Sequence, residues 1–299
     1  TRMAPMENLS FTENPNFIDP SVCNLKIDVT KRTRLESGGK QPAPLTDFEG
    51  NPRFPYTGYP DNPINPATAP DIGADEFAGT NALIGVFTIK NSGGDFNTLG
   101  TAIDMLNEEG IGGPVTFLVE SGETFNETEN IRLEITGYPN APIKFKRNFS
   151  GAKSGEMPII NFPAGGYSYG IRLLGSDYVI FDSIEFRNTD FSSGHTGTAI
   201  EFSGAASGCQ YDTVRNCRFS FNGNTTGISL ALSTSSTTNS YNAFLNNEMV
   251  GTRTAYSFDG FGNPDTGNYI GNSRINNSGR GMYLTNQQSL IIRDNVIDN

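Results

Sequence analysis

The sequence predicts an all-β protein whose strands wind into a coil of stacked turns, and three observations carry that expectation. The composition favours short strands and turns: of 299 residues, 34 are Gly, 17 are Pro, one is His and none is Trp, and Asn, Thr and Ser are frequent. Five segments repeat one pattern, apolar–x–Asn-like–x–x–apolar, at 181–186, 214–219, 244–249, 270–275 and 292–297, with starts 33, 30, 26 and 22 residues apart. A second series precedes each of them: Gly170-Ile171-Arg172-Leu173, Ala199-Ile200-Glu201-Phe202, Gly227-Ile228-Ser229-Leu230, Ala255-Tyr256-Ser257-Phe258 and Gly281-Met282-Tyr283-Leu284. Its apolar residues alternate with period two, as in a strand with one buried face. Strands in constant order, recurring every 22 to 33 residues, stack turn upon turn.

The polar positions of the repeat fit the same coil. Ser183, Asn216, Asn246, Asn272 and Asp294 fall at one fixed point of successive turns. Asn tolerates the unusual backbone of a sharp bend, and its amide can bond to the amide of the next turn. These five are the expected structural ladder, satisfying groups that would be costly in a dry stack. A second column holds Glu185, Arg218, Glu248, Arg274 and Val296. Its alternating signs suit parallel stacking at ~4.8 Å and read as a solvated face of paired charges.

Ahead of the repeats the elements follow in order. Val86-Phe87-Thr88-Ile89 reads as a strand, and 92–98 as a turn that caps a helix. Ala102, Ile103 and Leu106 then give one apolar stripe, flanked by Leu99 and Met105, with Gly110 as the C-cap. Strands follow at 115–119 and 143–145. An end rung with a bare apolar face must be covered, and one short amphipathic helix suffices.

Charge and cysteine content narrow the function. The formal net charge of −11 excludes a general nucleic-acid binder, which needs a basic face. No run approaches the ~18 apolar residues of a membrane span. Three cysteines, Cys23, Cys209 and Cys217, leave at least one thiol unpaired within the chain. Cys209 and Cys217 read either as a bridge or as small apolar fillers. The first residues contain no apolar stretch of the kind found in a secretory leader.

The order strand, SGGDFNTLGTAIDML, GGPVTFLVESGETFNE over 86–146 resembles the start of right-handed parallel β-helix modules of the pectate-lyase-like superfamily, particularly those in secreted surface proteins of Bacteroidetes. Residues 15–77 resemble the opposite end of such a module, through Asn16-Phe17-Ile18-Asp19-Pro20, Leu25-Lys26-Ile27 and Asp71-Ile72-Gly73-Ala74-Asp75-Glu76-Phe77. The handedness is what the resemblance implies. The expected organisation is a tandem one: 1–79 as the C-terminal end of a preceding or neighbouring-subunit module, and 80–299 as the N-terminal cap and rungs of another.

The resemblance also brings enzymes that cut acidic polysaccharides. Polygalacturonase-like members carry Asn-Thr-Asp and Gly-His-Gly on separate rungs. Here Asn188-Thr189-Asp190 and Gly194-His195 share one loop, with no third Gly. Lyase-like members need Ca²⁺ carboxylates beside a basic residue, and no aspartate cluster lies beside the external arginines. No catalytic residue is therefore assigned. An oxygen-rich, Gly-bent loop with Asp259, Asn263 and Asp265 suits Ca²⁺; an Asx-rich turn is the plainer alternative. Asp71, Asp75 and Glu76 read as structural turn residues. Tyr167, Tyr169 and Tyr178 are candidate carbohydrate contacts. The expectation is an extracellular, surface-displayed structural or adhesive stalk or filament, stacking on itself or on adjacent modules of its own chain. The alternative is a carbohydrate-active or polysaccharide-binding β-helix.

Overall fold

The structure, a computed structural model, describes residues 15–33, 35–36, 39, 45–53, 70–150, 153–162, 169–188, 197–203, 208–221, 225–231, 237–260 and 263–298. The chain divides into two compact units, Thr1–Leu83 with Glu109–Gly113, and Ile84–Glu108 with Pro114–Asn299.

In the larger unit each turn passes through three sheets. The first has six strands among the described residues, Ile131–Leu133, Tyr169–Leu174, Thr198–Ser203, Thr226–Ala231, Thr254–Asp259 and Met282–Thr285. The second includes Ile143–Asn148, Val179–Asp182, Thr213–Arg215, Ala243–Leu245, Tyr269–Gly271 and Ile291–Arg293. The third includes Ile159–Phe162, Glu185–Asn188, Arg218–Ser220, Glu248–Val250, Arg274–Asn276 and Val296–Asp298. These strands pair in parallel with their equivalents one turn away, so Ile171, Ile200, Ile228, Tyr256 and Met282 lie in one column.

Identical residue types stack inside the coil. Phe117, Phe145 and Phe181 pile with centroid separations of 4.9 and 5.3 Å, and Phe162, Phe186 and Phe219 with 6.1 and 5.2 Å. All but Phe162 are essentially fully buried, at roughly 1.5–3 kcal/mol of transfer free energy each. The small residues that open the first-sheet strands have a packing reason. A Cβ on Gly170 would meet the Phe162 ring at 2.5 Å, and one on Gly227 would meet Met249 Sδ at 2.9 Å.

The bend between the second and third sheets is where the expected ladder residues sit. Ser183, Asn216, Asn246, Asn272 and Asp294 all adopt the left-handed region, with φ from 54° to 62°. Asn246 Nδ2 donates to Asn216 Oδ1 at 3.2 Å, and Asn216 Nδ2 to Asp182 Oδ1 at 2.9 Å. Asn246 and Asn272 are exposed, however, so this column does not satisfy a dry interior. The left-handed residue turns its side chain outward and the next residue inward. The buried column is therefore Ile184, Cys217, Asn247 and Ser273. Asn247 Oδ1 accepts from the Cys217 N–H at 3.0 Å and Nδ2 donates to the Val214 carbonyl at 2.9 Å. Ser273 Oγ lies 2.9 Å from the hydroxyl of buried Tyr256, whose pKa burial pushes up to about 12.

Two further inward ladders line the bend between the first and second sheets. In one, the N–H groups of Val179, Asp212 and Asn242 donate to the side-chain Oδ1 of Asp212, Asn242 and Asn268. In the other, the N–H groups of Cys209 and Asn239 donate to Asn239 and Asp265. Cys209 and Cys217 are buried free thiols on different bends, which places them as apolar fillers.

The helix α1, Leu99–Glu109, buries Leu99, Ala102, Ile103 and Leu106, and Gly110 follows it at φ 65°. It rests on the strand Ile131–Leu133: Asn107 Nδ2 donates to the Arg132 carbonyl at 2.7 Å. Buried Glu127 accepts the Leu99 and Gly100 N–H groups at 2.9 and 3.1 Å, closing the helix N-terminus. Burial raises the Glu127 pKa, with these two bonds opposing.

The smaller unit contains an antiparallel pair, Phe17–Asp19 with Asn24–Ile27, and a polar knot. Arg53 Nε is 2.9 Å from Glu76 Oε1 in a buried ion pair, and Asp71 and Asp47 accept the N–H groups of Phe77 and Glu76. The acidic turn residues Asp71 and Glu76 are thus spent on backbone and on Arg53.

Candidate functional site

The outward positions of the first sheet form one column in register: Arg132, Arg172, Glu201, Ser229, Ser257 and Tyr283. Its first half gathers a cluster. Tyr169 opens the strand that carries Arg172, and its hydroxyl accepts from Arg132 Nε at 2.8 Å. The Arg172 guanidinium carbon lies 3.7 Å from the centre of the Tyr169 ring. Arg172 Nε stands 2.6 Å from Glu201 Oε1, an ion pair by distance whose N–H direction does not meet hydrogen-bond geometry. Tyr169 and Glu201 are buried and Arg132 is exposed.

The two arginines have different tasks. Arg172 is neutralised by Glu201 and clamps the phenol by a cation–π contact. Arg132 is fixed through Nε, while its two terminal nitrogens make no hydrogen bond among the described residues. A guanidinium held at one edge and open at the other suits a carboxylate or another planar anion bidentately. Two rungs stand ~4.8 Å apart, so the open fork and the clamp face the same surface.

Of the tyrosines expected from the sequence, Tyr169 belongs to this cluster and Tyr167 lies outside the described residues. Tyr178 lies at the bend after the Tyr169–Leu174 strand, immediately before Val179–Asp182, with φ 55°. It begins an exposed stack with Tyr211 and Tyr241, at centroid separations of 5.0 and 5.1 Å and interplanar angles of 8°. Both faces of Tyr211 are covered by its neighbours, and Gly267 lies against the Tyr241 ring. Arg132 and Arg172 were missed by sequence reasoning. Their signal was the tripeptide Ile-Arg-Leu, which occurs at 131–133 and again at 171–173.

Of the expected calcium ligands, Asp259 and Asp265 stand in opposite environments. Asp265 is fully buried and its carboxylate accepts from the Asn239 N–H at 2.8 Å and from Gln287 Nε2 at 3.2 Å. Asp259 is exposed and accepts from the Thr285 hydroxyl at 2.7 Å. That donor set does not fit an oxygen cage, and no group of three metal-binding side chains occurs among the described residues. Thr189, Asp190, Gly194 and His195 lie outside the described residues. In the third sheet, Glu185, Arg218, Glu248 and Arg274 stack in register as expected, with Arg218 Nε 3.5 Å from Glu248 Oε2.

The family model described as "Right handed beta helix region" matches residues 158–299. This stretch is a right-handed parallel β-helix. Among solved structures the β-helix is similar to an alginate lyase from a Paenibacillus species, at 15% identity, TM-score 0.48, over 71% of this chain and 76% of that one. It is also similar to the pectin methylesterase of Aspergillus niger, at 14% identity, TM-score 0.36, over 73% and 87% of the two chains. No curated protein matches the sequence. No helix among the described residues is long and apolar enough to cross a membrane.

Proposed function

We propose that the β-helix is an extracellular polysaccharide-binding module that takes a carboxylate-bearing glycan on the outer face of its first sheet. The observation that carries this reading is Arg132, anchored through Nε on Tyr169 with its terminal nitrogens open. Preorganisation matters here because the net charge of −11 opposes a polyanion at long range. Local bidentate pairing has to supply the attraction. Binding is favoured over turnover because the carboxylates of the cluster already face arginines: Glu201 is paired with Arg172, and the Glu134 charge acts on Arg132.

The test is titration with polygalacturonate and alginate oligomers, scored for binding and for new reducing or unsaturated ends. Arg132→Ala should abolish binding, and Tyr169→Phe, which keeps the ring under Arg172, should weaken it. Arg293→Ala, on an exposed surface pair with Asp294, should leave it unchanged. Equal affinity for all three variants would refute the site, and product formation would make the protein an enzyme.

A further inference from the structure

The ladder formed by Asp212, Asn242 and Asn268 contains one residue of the wrong chemistry. Asn242 and Asn268 each use both ends of the amide. Oδ1 accepts the N–H of the preceding turn, and Nδ2 donates to a backbone carbonyl there, Cys209 at 3.0 Å and Asn239 at 2.9 Å respectively. Each of those carbonyls belongs to the residue three before the preceding member of the column. Asp212 reproduces the first half, since its Oδ1 accepts the Val179 N–H at 2.7 Å. Its Oδ2 is sealed from solvent and has no donor, and the side chain is almost wholly buried. The carbonyl that occupies the equivalent place one turn back is that of Ser176, three before Val179.

We infer that Asp212 is a neutral carboxylic acid in the native protein and replaces an asparagine in the ladder, its Oδ2–H donating to the Ser176 carbonyl. A carboxylate there would set one acceptor against another in a dry interior, whereas the acid restores the donor that the Asn neighbours supply. The groups facing it give no charge compensation. Asp177, on the same bend, is a carboxylate that accepts the Gln210 N–H at 2.8 Å, Cys209 is a buried thiol and Tyr178 a phenol; no cation faces Asp212 among the described residues. Burial and the Asp177 charge accordingly hold the Asp212 carboxyl far above the usual carboxylate range, against the Val179 bond. The neighbouring ladder supplies the contrast: buried Asp265 has Gln287 Nε2 as a donor to its Oδ2 at 3.2 Å. The coil at this bend is therefore a lock that loosens as pH rises. The folded chain retains a proton that the unfolded chain gives up above about pH 4, so this contribution to stability falls through the window between the two pKa values.

The experiment compares thermal melts of the full chain and of Asp212→Asn between about pH 4 and about pH 9, with infrared difference spectra of both. The Asn variant, which carries the ladder's own amide, should match the parent at acid pH and exceed it by several degrees at alkaline pH. The parent should show a protonated-carboxyl stretch at neutral pH that the variant lacks. Asp212→Ala should melt below Asp212→Asn at every pH, having neither half of the ladder. Parallel pH profiles for parent and Asp212→Asn, absence of the carboxyl band, or an Asn variant less stable than the Ala variant would each overturn the assignment.

Discussion

Replacing Asn247 by Leu tests where the interior of the β-helix is satisfied. Asn247 is buried and its amide serves two backbone groups, accepting the Cys217 N–H at 3.0 Å and donating to the Val214 carbonyl at 2.9 Å, with a weaker approach to the Tyr256 hydroxyl at 3.5 Å. Leu has the same branching but a larger volume, and neither function. Two buried backbone groups then stand unpaired, at ~1–3 kcal/mol each. The apolar side chain returns part of this through burial, leaving a loss of about 2–4 kcal/mol. For a domain of ~150–250 residues, each kcal/mol is ~2–4 °C, so the melting temperature should fall by ~5–15 °C. Asn246→Gly is the control. Asn246 is exposed at φ 54°, a conformation Gly adopts without strain, and it loses one exposed bond to Asn216. That change should cost no more than about 1 kcal/mol. Calorimetry or circular dichroism melts of the two variants decide the matter. Equal shifts, or a larger one for Asn246→Gly, would refute the assignment of the inward column to Asn247.

Two further substitutions probe the other bend. Gly208→Ala places a methyl group against the Thr238 backbone carbonyl at φ 77°, and neither strain can be relieved by a side chain; a loss of ~2–4 kcal/mol is expected in a urea titration, and a neutral result would mean the bend is free to move. Tyr211→Ala removes both ring contacts of the exposed stack, at ~0.5–1.5 kcal/mol each, so melting should fall by a few degrees while affinity for uronate oligomers stays unchanged; lost affinity would move the glycan to the tyrosine stack.

The sequence by itself determined the coil. The Gly/Ala-led strands of the first sheet, the Asn-like residue at the bend and the alternating Glu and Arg column were legible because stacked turns repeat the same local demands. Ile171 and Ile200 share a column for the same reason that Asn216 and Asn246 share a left-handed φ. The apolar stripe of α1 and its terminal Gly110 were legible because helix periodicity and capping are local. What only the tertiary structure decided was the facing of residues at bends and the meeting of residues from different turns. Alternation with period two fixes facing along a straight strand, but a left-handed residue shifts the phase, so Asn247 and not Asn246 points inward. Asp265 and Asp212 look like loop and strand-edge carboxylates in one dimension; each keeps the same offset from its rung as its ladder neighbours, but only the bend of the coil turns that offset inward. Arg132 and Tyr169 stand 37 positions apart in sequence, and the intervening segment is longer than any later turn. Their contact depends on the parallel register of the first sheet, which hydrogen bonds between whole turns set and no neighbouring residue encodes.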